Sequence, residues 1–223
     1  MNIKEETQGF SLRDKKAMLI GVGGLGCNVA VHLAGAGIGK LYLCDFDKVS
    51  ESNLNRQFLY NKNDIGKFKA DKAKEFLSEY CSDTYIESHR IKIEDIEDAS
   101  FALDSDIIIC AVDNSKGRAA AESLAYELNI PLVVGGIDGF YGTAYLLIPG
   151  YSPCLKCAGS DSDKAAKHNI SSTAGIIGSA EASLAINYLL TEDKTLSGKL
   201  LIYDEGRFDT LAIISRKDCD ICN

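Results

Sequence analysis

The chain has 223 residues, enough for one substantial hydrophobic core at the upper end of a single domain. Hydrophobic residues make up 46% of it, yet no window approaches the ~18 uninterrupted apolar residues of a membrane span. The 24 basic and 32 acidic residues give a net charge of -8, which argues against a nucleic-acid binder, and the polar start MNIKEETQGF has no apolar signal region, so a cytoplasmic protein is expected.

In chain order, AMLIGV (17–22) is a short apolar run ending in glycines and predicts a buried strand. Residues 25–36 carry Ala, Val and Leu at helical spacing. KLYLCD (40–45) is the next buried strand, KADKAKEFLSEY (69–80) a helix and TYIESHRI (84–91) a strand. DIIICAVD (106–113) is a strongly apolar strand, followed by a helix near 116–128 and strands at 131–137 and 143–149. The texture changes after Pro149. A polar stretch, 150–172, precedes a small-residue helix, TAGIIGSAEASLAINYLL, and two closing strands, KLLIYDE and TLAIISR. Alternating strands and helices predict a Rossmann-like α/β fold: a mostly parallel sheet with helices on both faces, ended by C-terminal antiparallel strands. One domain is expected, with a nucleotide-binding half (1–149) and a second half (150–223). A long polar loop in such a domain is often functional, so 158–172 is a candidate cover over a site or an ordinary excursion.

Gly21, Gly23 and Gly26 fit G-x-G-x-x-G, directly after a strand and before a helix. The first glycine permits the tight turn, the second lets backbone approach a phosphate, and the third lets helix pack on strand. The helix N-terminus then offers free N–H groups to an anion. Asp45 ends the second strand, where a carboxylate accepts ribose hydroxyls. These features do not separate NAD from ATP. A hydride-transfer enzyme needs further catalytic groups, and His32, His89 and His168 form no obvious pair with an acid.

The next segment, SNLNRQ, is the informative one. Asp47, Ser52, Asn53, Arg56, Gln57, Lys69, Asp113 and Asn114 all follow strands whose carboxyl ends form the ligand edge of an open sheet. Arg56 and Lys69 are candidates to meet phosphates, with Asp113 holding a magnesium ion. Asp113 has a rival role as helix N-cap, and Arg56 as a surface ion pair. Lys67, Lys72 and Lys74 read as a solvated helix face. Two CxxC pairs, Cys154/Cys157 and Cys219/Cys222, have the spacing of a four-thiolate zinc site; a redox dithiol or disulfides are the alternatives.

The ordered set GVGGLG, DFD, SNLNRQ, Lys69, Asp113-Asn114 and the two CxxC pairs resembles the ThiF/MoeB/HesA family, bacterial relatives of ubiquitin-activating enzymes, across roughly residues 12–222. The resemblance implies an ATP-dependent enzyme that adenylates the C-terminal glycine of a small ubiquitin-like sulfur-carrier protein ending in Gly-Gly. It implies a homodimer and a structural zinc. By resemblance Gly24 lies against the nucleotide, Asp45 binds ribose, Asn53, Arg56 and Lys69 contact phosphates, and Asp113 positions magnesium. Arg56, Lys69 and Asp113 are the catalytic candidates; Asp47, Ser52, Gln57 and Asn114 also match nucleotide-binding positions. Alternatives are adenylation of a peptide terminus or a modified tRNA base, and a binding module that only holds nucleotide.

Two departures from the family pattern stand out. Some relatives carry a cysteine that takes the activated carrier just before a Thr-Ala-Gly helix start. Here Ser171 and Ser172 occupy that place, so no covalent cysteine intermediate is expected. Cys27, Cys44 and Cys110 read as packed against the sheet, and Cys81 as unassigned. The residues before Gly21 also lack the family's Arg-x-x-Arg-Gln motif, leaving Arg13 as the single arginine there.

Overall fold

A computed structural model describes residues 11–96, 100–159 and 169–222. Strands β1 (Lys16–Ile20), β2 (Lys40–Cys44), β3 (Tyr85–His89), β4 (Ile107–Cys110) and β5 (Leu132–Asp138) run parallel. Strands β6 (Tyr141–Leu147), β7 (Lys199–Asp204) and β8 (Arg207–Ala212) continue the same sheet antiparallel, in the order β3-β2-β1-β4-β5-β6-β7-β8. The helices are α1 (Gly24–Gly35), α2 (Lys69–Tyr80), α3 (Ser115–Leu128) and α4 (Ser171–Thr191). The expected architecture is the observed one.

The strands alternate their side chains between two core layers, as a twofold repeat requires. Ala17, Leu19, Leu41, Leu43, Ile107 and Ile109 pack under α1, α2 and α4. Met18, Ile20, Tyr42, Cys44, Ile108 and Cys110 pack on the other face, against Leu124 and Ala125 of α3. Both faces are covered, which explains why these strands read as unbroken apolar runs.

Two strands end sooner than the apolar runs do. The last backbone bond between β1 and β4 runs from the Ala111 N–H to the Ile20 carbonyl, at 2.8 Å. Beyond it the chains separate toward α1 and α3, which lie on opposite faces. That divergence opens the crevice at which a doubly wound sheet binds ligands. The closing strand also begins earlier than TLAIISR: Glu205 and Gly206, at φ 46 and 88, make a two-residue turn of the kind that joins twisted antiparallel strands.

One buried charge site interrupts the apolar packing. Glu181 of α4 is fully buried, and its carboxyl occupies the space a side chain at Gly135 would need, 2.3 Å from the ideal Cβ. Neither oxygen meets full hydrogen-bond geometry with a partner among the described residues, although the Gly135 N–H lies close enough to favour the charged form slightly. Burial raises its pKa well above the ordinary value, against the lowering effect of Arg118. The folded state therefore holds its proton where the unfolded chain has lost it, and stability falls as pH rises through that window. Glu181→Gln should match the parent protein near pH ~4 and exceed it near pH ~8 in urea unfolding, by about 1.4 kcal/mol for each pH unit of the window crossed. Equal pH profiles for the two proteins would refute the assignment.

Candidate active site

A cavity of about 830 Å³ opens at the carboxyl edge of the sheet. Gly21 has φ +87, and a Cβ there would lie 2.9 Å from the Ala111 carbonyl oxygen, so the turn after β1 admits only glycine. At Gly26 a Cβ would fall 2.0 Å from the Gly21 carbonyl oxygen; here α1 packs directly on the turn. Gly21, Gly23 and Gly24 line the cavity, while Gly26 lies behind them. α1 starts at Gly24 without a side-chain cap and without an acid in its first turn. Its first N–H groups and positive dipole end thus face the opening.

Asp45 stands just past β2 and is 7% exposed. Its two oxygens accept the Val22 and Asp47 N–H groups, at 2.7 and 2.8 Å. Burial pushes its pKa up, opposed by Lys69 and those N–H donors. The carboxylate keeps a second lone pair on each oxygen for a diol. Lys69, the first residue of α2, is 6% exposed and pairs with Asp47 at 2.9 Å. It stands apart from Lys67 and Lys72, which pair with Asp64. Arg56 lies on the loop after β2. Its guanidinium donates to the Ser52 carbonyl at 3.0 Å and Asn55 Oδ1 at 2.8 Å, and its stem would touch a Cβ on Gly24 at 3.4 Å. Gln57 is 4% exposed, with Oε1 buried and unpartnered among the described residues.

Asp113 and Asn114 close the cavity from the β4 side. The N-cap of α3 is Asn114, whose Oδ1 accepts the Gly117 N–H at 2.8 Å, so the capping role considered for Asp113 belongs to its neighbour. Asp113 is left exposed on the cavity wall. Ser52 and Asn53 stand outside the walls. The Ser52 hydroxyl bonds that of Ser50, and Asn53 Oδ1 accepts the Ser50 N–H in a capped turn that carries Arg56. Arg13 bonds Asp83 at 3.2 Å just ahead of β1, at the opposite edge of the sheet. The cavity also takes Phe46, Lys92, Arg118, Tyr141, Thr143 and Asn169, none of which sequence motifs single out. Arg118 had one signal: it lies one helical turn past the cap at Asn114. Ala158 and Gly159 line the cavity, but 160–168, including His168, lie outside the described residues.

The four CxxC sulfurs lie within 4.8 Å of one another. Cys154 and Cys219 Sγ are 3.4 Å apart, and Cys157 and Cys222 Sγ 3.8 Å. A tetrahedral ion with sulfurs at ~2.3 Å needs separations of about 3.8 Å, whereas a disulfide needs ~2.05 Å. The donor set therefore fits a metal. Backbone N–H groups of Ile221 and Cys222 bring the Cys219 thiol down to about 6. The remaining cysteines are different. Cys27 is fully buried and pushed up to about 12 by desolvation, and Cys110 likewise, while Cys44 is buried and Cys81 half-buried. None has the raised thiolate character of a nucleophile. His32 is exposed and bonds Ser179, and His89 stacks on Phe101.

A glycine turn at the switch point, a buried acid after β2 and cationic side chains over the carboxyl edge define a doubly wound α/β protein with an anion-accepting crevice. The chain belongs to the ThiF family, whose model matches residues 2–222. It is 31% identical to the SAMP-activating enzyme E1 of Haloferax volcanii, over 97% of this chain and 83% of that protein. It is 30% identical to the molybdopterin-synthase adenylyltransferase of Escherichia coli, over 95% and 88%. The Escherichia coli MccB structure with ATP shares the fold, with a TM-score of 0.80 at 21% identity over 95% of this chain and 67% of that one. Among the described residues no helix is long and apolar enough to cross a membrane.

Proposed function

We propose that this chain is an ATP-dependent adenylyltransferase acting on the C-terminal glycine carboxylate of a small ubiquitin-like sulfur carrier. The observation that carries the reading is the meeting of the glycine turn, Asp45, Arg56, Lys69 and Asp113 around one cavity. Its relatives named for adenylyl transfer and for activation of a small modifier support it. In the proposed reaction a carboxylate oxygen attacks the α-phosphorus of ATP, and the α–β bridging bond breaks. Pyrophosphate leaves with the electron pair, giving an acyl-adenylate. Arg56 supplies a planar fork to phosphate oxygens, Lys69 a point charge, and Asp45 holds the ribose. Asp113 would hold magnesium, which supplies charge neutralisation at the leaving phosphates. The four cysteines would hold zinc in a closed shell that serves structure. The described cysteines outside that cluster are buried or half-buried with raised pKa, which supports release of the acyl-adenylate without transfer to a thiol. The enzyme would act in the cytoplasm as a homodimer, with the carrier seated on the 150–223 half.

The test is ATP–pyrophosphate exchange with a small protein ending in Gly-Gly, beside the same protein lacking those glycines. Exchange only with the intact carrier is expected. Exchange with neither, under conditions where a peptide carboxylate is adenylated, would replace the carrier with a peptide substrate.

A further inference from the structure

The cavity has two ends. Arg56, Lys69 and Asp45 gather at the glycine turn, between β1 and β2. The other end is built by β5 and β6, where Gly136, Tyr141 and Thr143 form the wall. Arg118 reaches this second end from α3. Its guanidinium lies flat against Gly136: the ideal Cβ of that glycine would be 2.7, 3.3 and 3.4 Å from its Nη2, Cζ and Nη1. A side chain at Gly136 would displace it, so the glycine makes room for the cation.

Among the described residues nothing neutralises this cation. Among the described residues no carboxylate forms an ion pair with Arg118, and its Nε is buried without a hydrogen-bond partner. Glu181, an acid that feels its charge, lies on the other face of the sheet behind Gly135. Alternate residues of a strand face opposite ways, so β5 stands between the two. Burial disfavours the charged form of Glu181, so that carboxyl is a poor counter-charge for a guanidinium across the strand. A buried donor without a partner is costly, and an anion in the cavity relieves that cost.

We infer that Arg118 binds the attacking carboxylate of the acyl substrate, through a planar two-point hydrogen bond, at the β5–β6 end of the cavity. This rests on the proposed adenylation and adds to it a second guanidinium, within one chain, that no phosphate contact requires. Arg56 and Lys69 neutralise the nucleotide's phosphates, while Arg118 holds the nucleophile between them and the open end. The attacking oxygen is then oriented before reaction, the role that positioning groups play in phosphoryl and nucleotidyl transfer.

The experiment measures binding, by calorimetry, of a short synthetic peptide ending in Gly-Gly as the free carboxylate and as the C-terminal amide. It is run with and without the non-hydrolysable ATP analogue AMPCPP. The parent protein should prefer the carboxylate roughly 10–100-fold, the worth of a charge-assisted pair. Arg118→Gln should bind both peptides alike while its AMPCPP affinity stays within about twofold. Gly136→Ala, which keeps the charge but displaces the guanidinium, should also lose the preference. Thermal melting establishes that each variant folds, so either one suffices. No preference in the parent protein, no binding of either peptide, or an undiminished preference in both variants overturns the inference. Failure of AMPCPP to bind the parent protein instead sinks the nucleotide reading, and the carboxylate preference is still read on its own.

Discussion

Arg56→Ala protein should fold like its parent and exchange pyrophosphate into ATP about 10²–10³-fold more slowly, as expected for losing one preorganised charge-stabilising group. The effect is large because the chain can do little covalent chemistry at a phosphorus already surrounded by negative oxygens; it can align reactants and neutralise charge. The guanidinium is pre-set by the Ser52 carbonyl and Asn55 Oδ1, on a turn capped by Asn53. Those contacts are exposed, so their loss costs little stability, and melting temperature should stay within a few degrees. Lys69→Ala should slow exchange comparably but also lower melting. Its side chain is buried, and its removal leaves Asp47 without its partner. The pair of variants separates a charge acting on substrate alone from one that acts on both substrate and fold. Exchange by Arg56→Ala at the parent rate would remove Arg56 from the chemistry altogether.

The fold was largely legible because both-face burial gives strands that are apolar throughout, and because KADKAKEFLSEY has a helical period bounded by Phe68 and Cys81. Even the antiparallel β6 had a signal. Too few residues separate 137 from 143 for a parallel crossover, which needs a dozen or more. Strand ends were less legible: Ala111 and Val112 continue the apolar run of β4, but after the Ala111 N–H the chain leaves the ladder to form the cavity wall. The glycine turn and Asp45 could be found because their roles are backbone roles at fixed spacing. Arg118 had only its place one turn past the Asn114 cap, which assigns no role until its strand partner, Gly136, is brought beside it. Glu181 was hidden for the same reason: an acid among small residues in a helix looks exposed until Gly135 gives it a place in the core.

Removing the metal proposed for the four-cysteine site should free one side of it and leave the other in place. The first CxxC is anchored by the protein itself. Leu155 is 4% exposed in the α3-side core, and its N–H donates to buried Glu122 at 2.7 Å. Tyr145 donates to the Pro153 carbonyl at 2.7 Å, and Ser152 bonds Ile148. The second CxxC has far less. After β8 the Ile213 N–H donates to the Gly198 carbonyl, Ile214 is 84% exposed, and Lys156 pairs with Asp220 in solvent. Exposed pairs of that kind contribute little, so the thiolates must carry most of the attachment. A metal joining Cys154 to Cys219 crosses 65 residues of chain. Treated as a cross-link, it restricts the unfolded state by roughly 4 kcal/mol. Chelation should therefore lower the melting temperature by about 8–16 °C for a chain of this size. Amide exchange should rise over 213–222 while 150–157 stays protected. Cys219→Ser should reproduce the change, because a serine hydroxyl is a poor replacement for thiolate at a soft site. If chelated protein melted unchanged, and mild oxidation closed Cys154–Cys219 reversibly, the cluster would be a redox dithiol pair and the tail would be held by the packing of Ile213 and its neighbours.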